Sequence, residues 1–202
     1  MKKPTVFLAV VLSLALAPYA SAFAQDKPDA SAHMKKMSAP SPAQPLLDAG
    51  LKRAKKEKKA VLVMFHATWC GWCHKLEAVM AKPDFKKQFE KSYVIVNLDV
   101  QEHGEKVAQF ENPGGLELMK TLGGEKSGLP FYAFMDAKGE KIGTSNVMPN
   151  PKHPEIKDQN IGYPGAPEEI AAFMELIKKT APKWSEAEQL KLETYLKENA
   201  PK

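Results

Sequence analysis

The chain has 202 residues, of which 44% are hydrophobic and 26% are charged. This composition excludes a disordered chain, and the length suits one domain with a substantial core. The formal charge of +5 is spread along the sequence. The densest basic run, residues 52–59, contains Glu57 and no aromatic residue. It therefore predicts the solvated face of a helix and argues against nucleic acid as a partner.

Residues 1–24 are predicted to be a secretory signal peptide. Two lysines precede an apolar core over residues 6–17, which is too short to span a bilayer. An Ala-x-Ala site follows, so cleavage is expected after Ala24 or, alternatively, after Ala22. We therefore expect an exported protein, periplasmic or secreted, with no stable membrane insertion after cleavage. The alternative is an uncleaved membrane anchor.

Residues 25–45 are rich in Ala, Pro, Ser, Lys and Met and show no hydrophobic periodicity. This segment is predicted to be a flexible linker. The folded domain is expected to occupy residues 46–200. It opens with an amphipathic helix over residues 45–58, because Leu47 and Leu51 recur at helical spacing.

The first half of the domain alternates strands and helices. A β-branched apolar run over 61–66 predicts a strand, and a second strand is expected over 93–100. Between them the pattern indicates a helix over 70–80, which ends before Pro83, and a shorter helix over 84–89.

The second half contains a hairpin and two longer helices. Two short helices are expected within residues 104–124, a hairpin over 131–144, and an irregular loop over 147–165 because Pro and Asn are frequent there. A helix over 167–179 and a last helix, opened by a capping box from Ser185 to Glu188, complete the chain. This order predicts an α/β fold with a central mixed β-sheet flanked by helices and an extra C-terminal helix.

The only two cysteines, Cys70 and Cys73, are three positions apart at the start of a predicted helix. Two thiols at this spacing can form and break a disulfide with little backbone movement. The helix N-terminus stabilises a thiolate on Cys70, whereas so small a closed loop stabilises the fold little. The pair is therefore predicted to be redox-active, exchanging electrons with protein thiols and disulfides of a periplasmic or membrane redox partner.

Residues from about 46 to 180 resemble the thioredoxin superfamily. The resemblance depends on Trp69-Cys70-Gly71-Trp72-Cys73 after a strand and on Leu129-Pro130-Phe131 at the start of the hairpin. It implies a thioredoxin-like fold and protein-disulfide oxidoreductase activity without a cofactor. Cys70 is then the attacking thiolate, at the better exposed position, and Cys73 resolves the mixed disulfide.

The resemblance also implies where a partner chain binds. In thioredoxins the hairpin proline is cis and lies beside the redox pair, and the neighbouring backbone binds an extended peptide. The expected substrate-binding residues are therefore Trp69, Gly71, Trp72, Leu129 and Pro130. The alternative is an ordinary trans proline at the start of an edge strand.

One departure from the family concerns the proton of the second thiol. Thioredoxins carry a buried acid six residues before the first cysteine, and here that position is Met64. Glu77, four residues after Cys73 and on the same helical face, is the predicted substitute. A related transmembrane reductase has a glutamate at the matching helical position. Burial is expected to raise the pKa of Glu77 towards neutrality; the alternative is a surface glutamate paired with Lys75 or Lys82.

Three other interpretations of the cysteine pair stay open. Cys70 to His74 also fits the attachment signature of c-type haem, with His74 as the axial ligand. Copper or zinc on Cys70, Cys73 and His74 would be short of the four ligands that a structural zinc site prefers, although His66 could supply one more. The third is a non-catalytic binding module. We predict no metal and no cofactor, because an apolar strand running into Trp69 suits a thioredoxin fold.

Overall fold

The computed structural model describes residues 39–148 and 159–201. The predicted signal peptide and the linker up to residue 38 lie outside the described residues, as does the middle of the predicted irregular loop. In the described part, no helix combines the length and the apolar character that crossing a membrane requires.

The helices and strands follow the predicted order. They are α1 (Ala43–Glu57), β1 (Ala60–His66), α2 (Gly71–Ala81), α3 (Pro83–Ser92), β2 (Tyr93–Asp99), α4 (Lys106–Phe110), α5 (Gly115–Thr121), β3 (Phe131–Met135), β4 (Lys141–Thr144), β5 (Asn146–Met148), β6 (Gln159–Asn160), α6 (Pro167–Thr180) and α7 (Glu186–Glu198).

The main sheet has four strands in the order β2-β1-β3-β4. Strand β1 pairs in parallel with β2 and antiparallel with β3, and β4 completes the sheet antiparallel to β3. The predicted mixed sheet is confirmed. Because β1 lies inside the sheet, every residue from 61 to 65 is buried, and the end of this strand fixes where the cysteine pair lies.

Both faces of the sheet are covered, as predicted. Leu62 and Met64 of β1 pack against α2, α3, α6 and α7 on one face. Val61, Val63 and Phe65 pack against α1 and α5 on the other. This alternation follows from the two-residue period of a strand.

The C-terminal helix belongs to the first of these cores. Leu192 and Leu196 of α7 are fully buried. The predicted capping box is confirmed, since the Ser185 N–H donates to Glu188 Oε2 at 2.8 Å and Ser185 Oγ accepts from the Glu188 N–H at 3.3 Å. The helix therefore packs as an integral layer of the domain.

Two local predictions are corrected. The segment over 147–165 is not irregular throughout, because β5 and β6 pair, with Asn146 opposite Asn160. Tertiary pairing here overrides the low strand propensity of Asn. Helix α1 begins at Ala43 after Pro42, so the last residues of the predicted linker are helical. Ala43 is buried, and this burial stabilises the early start.

Candidate active site

Strand β1 and helix α2 bring the cysteine pair to the edge of the sheet. Cys70 is the N-cap residue of α2, and its Sγ accepts a hydrogen bond from the backbone N–H of Cys73 at 3.2 Å. The two residues form a disulfide, with their Cα atoms 5.3 Å apart. Cys70 is 3% exposed and Cys73 is 0% exposed, so exposure differs in the predicted direction but only slightly.

Two exposed tryptophans flank the disulfide. Trp69 is 48% exposed and Trp72 is 46% exposed. The Trp69 ring Nε1 donates to the backbone oxygen of Gln101 at 2.8 Å. Trp72 stacks on Tyr163 with their ring centroids 5.6 Å apart. Each indole is thus held in place while part of its apolar surface faces solvent.

The loop before β3 lies against the disulfide. The Leu129–Pro130 peptide bond is cis, as the resemblance implies. The Leu129 side chain packs against the small buried cluster of Ala67, Cys70 and Cys73. Pro130 is buried and Leu129 is only partly buried, so Leu129 supplies the accessible surface at this point.

A cleft of about 800 Å³ opens beside Trp72. Its walls are the loop over 126–129, the segment over 159–167, and Ala200 and Pro201 near the C-terminus. This cleft is not predictable from the sequence, because most of one wall comes from the segment predicted to be irregular.

The polar groups behind the disulfide are arranged around His66. Met64 is fully buried among apolar side chains, and His66 lies two positions further along the same face of β1. His66 Nδ1 is 2.8 Å from Glu77 Oε1, and His66 Nε2 is 3.6 Å from Asp99 Oδ1. His74 Nδ1 is 3.5 Å from Glu77 Oε2. Glu77 therefore pairs with histidines, and its partners are neither Lys75 nor Lys82.

These contacts correct the expected protonation of Glu77. The contact with His66 lowers the pKa of Glu77 and outweighs burial, which acts in the opposite direction. Burial by itself would lower the pKa of His66, but the contact with Glu77 and the negative charge of Asp99 outweigh it, so the pKa of His66 is raised. The expectation that burial raises the pKa of Glu77 is wrong, because it left out a cationic neighbour.

A second buried carboxylate supports the turn before the motif. Glu102 is 5% exposed, and its two oxygens accept hydrogen bonds from the Thr68 N–H at 2.6 Å and from Thr68 Oγ1 at 2.8 Å. Lys106 Nζ also donates to Thr68 Oγ1 at 3.1 Å. No sequence signal points to Glu102, because the pairing spans 34 positions.

Within residues 39–148 and 159–201, no three His, Cys, Asp or Glu side chains come together as a metal site. His66, considered as a possible extra ligand, contacts the carboxylates of Glu77 and Asp99.

Residues 43–137 match the family model described as thioredoxin-like. With the mixed sheet and the Cys70–Cys73 disulfide, this match identifies residues 43–137 as a thioredoxin-like domain. The chain is 30% identical over 95 residues to protein disulfide isomerase-like 2-2 of Oryza sativa subsp. japonica, covering 44% of this chain and 26% of that protein. It thus spans about a quarter of the curated relative.

Several solved structures are similar to part of this chain at low sequence identity. A disulphide isomerase from Xylella fastidiosa Temecula1 is 18% identical, with a TM-score of 0.44, over 77% of this chain and 89% of that one. The oxidised C-terminal domain of DsbD from Neisseria meningitidis is 20% identical, with a TM-score of 0.38, over 53% and 84% respectively. Similarities at this level do not define an activity.

The pKa shifts predict a pH window for the contact between His66 and Glu77. Because the pKa of Glu77 is lowered and that of His66 is raised, both groups are charged between 4.5 and 6.5, the ordinary pKa values of a glutamate and a histidine. In this window Glu77→Gln should lower the free energy of unfolding by about 1 kcal/mol. The difference should disappear as pH rises through the raised pKa of His66, and also as pH falls through the lowered pKa of Glu77.

NMR titration of the His66 ring, together with denaturant unfolding at several pH values, measures both effects. In Glu77→Gln the pKa of His66 should fall, because its strongest favourable contact is lost. Glu117→Gln, on the exposed face of α5, is the matched control and should leave the His66 titration unchanged. An unaltered His66 pKa in Glu77→Gln contradicts the assignment.

Proposed function

We propose that this protein is an exported thiol–disulfide oxidoreductase that exchanges its Cys70–Cys73 disulfide with thiols and disulfides of other proteins. One observation carries the proposal: the chain's only two cysteines are bonded at the N-terminus of α2, between two exposed tryptophans. The sequence over 1–24 supports export to the periplasm or the exterior, where protein disulfides persist.

In the first step the reduced protein attacks a partner's disulfide. The Cys70 thiolate, stabilised at the helix N-terminus, forms a bond to one sulfur of the partner. The partner's S–S bond breaks, and its other sulfur leaves as a thiolate. The product is a mixed disulfide between Cys70 and the partner chain.

In the second step Cys73 resolves that intermediate. The Cys73 thiolate attacks the sulfur of Cys70, the bond from Cys70 to the partner breaks, and the partner's second sulfur leaves as a thiolate. The partner is now reduced by two electrons, and the Cys70–Cys73 pair is oxidised by two. The same steps in reverse oxidise a partner's dithiol.

Cys73 must lose a proton before it can attack. Glu77 lies one helical turn beyond Cys73 and is joined to His66. We assign proton acceptance to this pair, with the neutral His66 ring as the general base and the Glu77 carboxylate as its hydrogen-bonding partner. Glu77 contributes by keeping the pKa of His66 high.

The surface around the disulfide suits a polypeptide partner. Trp69, Trp72 and Leu129 expose apolar surface next to Cys70, while Gly71 is exposed and leaves space over the first turn of α2. Exposed apolar surface at a site of this kind favours protein ligands. We expect a periplasmic or membrane redox protein, and no nucleic acid.

The haem alternative is less well supported. Attachment of c-type haem uses each cysteine sulfur for a bond to the porphyrin, whereas here the sulfurs of Cys70 and Cys73 are bonded to each other. His74, the expected axial ligand, has its Nε2 3.1 Å from the Thr68 carbonyl oxygen. A non-catalytic binding module would be inactive in the two assays that follow.

Single-cysteine variants test the assigned roles. Cys73→Ala should accumulate mixed disulfides with partner proteins, because the attacking thiolate remains and the resolving one is lost. Cys70→Ala should accumulate none, and alkylation of the reduced wild type should modify Cys70 first. Non-reducing electrophoresis and peptide mapping measure both. Equal labelling of the two thiols, or trapping by Cys70→Ala, contradicts the roles.

Removal of the carboxylate that keeps the pKa of His66 high should affect one step. In Glu77→Gln, release of the mixed disulfide should slow by about tenfold and its pH midpoint should move down with the pKa of His66. The initial attack by Cys70 should stay unchanged. Rapid-quench kinetics across a pH series separates the two steps. If both steps slow equally in Glu77→Gln, or neither does, Glu77 has no role in proton transfer.

A further inference from the structure

Asn160 connects β6 to the loop beside the disulfide. Its side-chain Nδ2 donates to the carbonyl oxygen of Gly128 at 2.8 Å and to that of Pro130 at 3.1 Å. These two carbonyls flank Leu129, the residue that packs against the cysteine pair. One amide group thus binds the loop on both sides of the residue nearest the disulfide.

The Asn160 side chain is itself held in place. Its Oδ1 accepts a hydrogen bond from the Gly162 N–H at 3.2 Å. Its backbone lies opposite Asn146 in the β5–β6 pair. Because these contacts orient the amide, little side-chain entropy is lost in forming the two bonds to the loop.

The arrangement leaves the backbone of Leu129 available. Among the described residues, neither its N–H nor its C=O is hydrogen-bonded. A backbone donor and acceptor at an accessible edge can pair with an extended chain, as in strand addition. The adjoining cleft, bounded by Trp72 and by residues 159–167, offers room for the continuation of that chain.

We propose that Asn160 is a positioning residue that holds the Gly128–Pro130 loop ready to receive an extended segment of a protein partner. This inference rests on the proposed function and adds a residue for recognition of the partner. Without the Asn160 amide, the loop has to be ordered at the moment of binding. Binding of a peptide should weaken, while the sulfur chemistry at Cys70 should be unaffected.

Two probes of the reduced protein separate binding from chemistry. The first is a short peptide whose single cysteine carries a thionitrobenzoate group in disulfide linkage, and the second is the symmetrical thionitrobenzoate disulfide without a peptide. In each case Cys70 attacks the disulfide and coloured thionitrobenzoate leaves as the thiolate. The observables are the half-saturating concentration and the maximal rate for the peptide, and the rate for the small disulfide.

In Asn160→Ala the half-saturating peptide concentration should rise by about tenfold, as expected for two lost hydrogen bonds. Asn160→Asp should raise it further, since a carboxylate cannot donate to two carbonyls. The maximal rate and the small-disulfide rate should stay at wild-type values. Gln44→Ala is the matched control, because its amide donates to Asp48 on the exposed face of α1.

The proposal is overturned if the half-saturating peptide concentration is unchanged in both Asn160→Ala and Asn160→Asp. It is also overturned if the reactions with the two probes slow equally. If the wild type reacts with neither probe, the proposed function fails instead. A further measurement needs only the wild type: a peptide with serine in place of its cysteine should shift the NMR signal of the Leu129 amide and slow its hydrogen exchange. Absence of that response also overturns the proposal.

Discussion

The burial of β1 between two hydrophobic layers is the constraint from which the rest of the site follows. Its residues alternate between the two cores, so a slip of one position would turn each side chain towards the wrong layer. The register of β1 thus fixes where His66 ends the strand and where Cys70 opens α2. Both positions depend on the buried apolar part of β1, residues 61–65.

The groups that surround the disulfide come from segments outside the four-stranded sheet. On one side, the link between β2 and β3 supplies Glu102, which binds the turn at Thr68, and Gln101, which binds the ring of Trp69. On the other side, β6 supplies Asn160, and the segment between β6 and α6 supplies Tyr163. The sheet therefore places the cysteines, and these outer segments determine what surface a partner meets.

Local sequence patterns are sufficient to predict the fold and the place of the cysteine pair at the start of a helix. The capping box at Ser185 and the Cys70–Cys73 spacing act within one helical turn, so the sequence shows them directly. Other features join residues from different turns or elements of the chain. They are the contact of Glu77 with His66, the hydrogen bonds from Thr68 to Glu102 and the β5–β6 pairing. They depend on tertiary packing, which is why the pKa direction of Glu77 was predicted wrongly.

We propose that the Cys70–Cys73 disulfide is an exchanging redox centre and not a structural cross-link. Equilibration of the protein with defined ratios of reduced and oxidised glutathione distinguishes the two. A redox centre should show one reversible two-electron transition of Cys70 and Cys73 within roughly −270 to −120 mV, the range of thioredoxin-fold oxidoreductases. A pair that stays oxidised down to about −300 mV, as structural disulfides do, would contradict it.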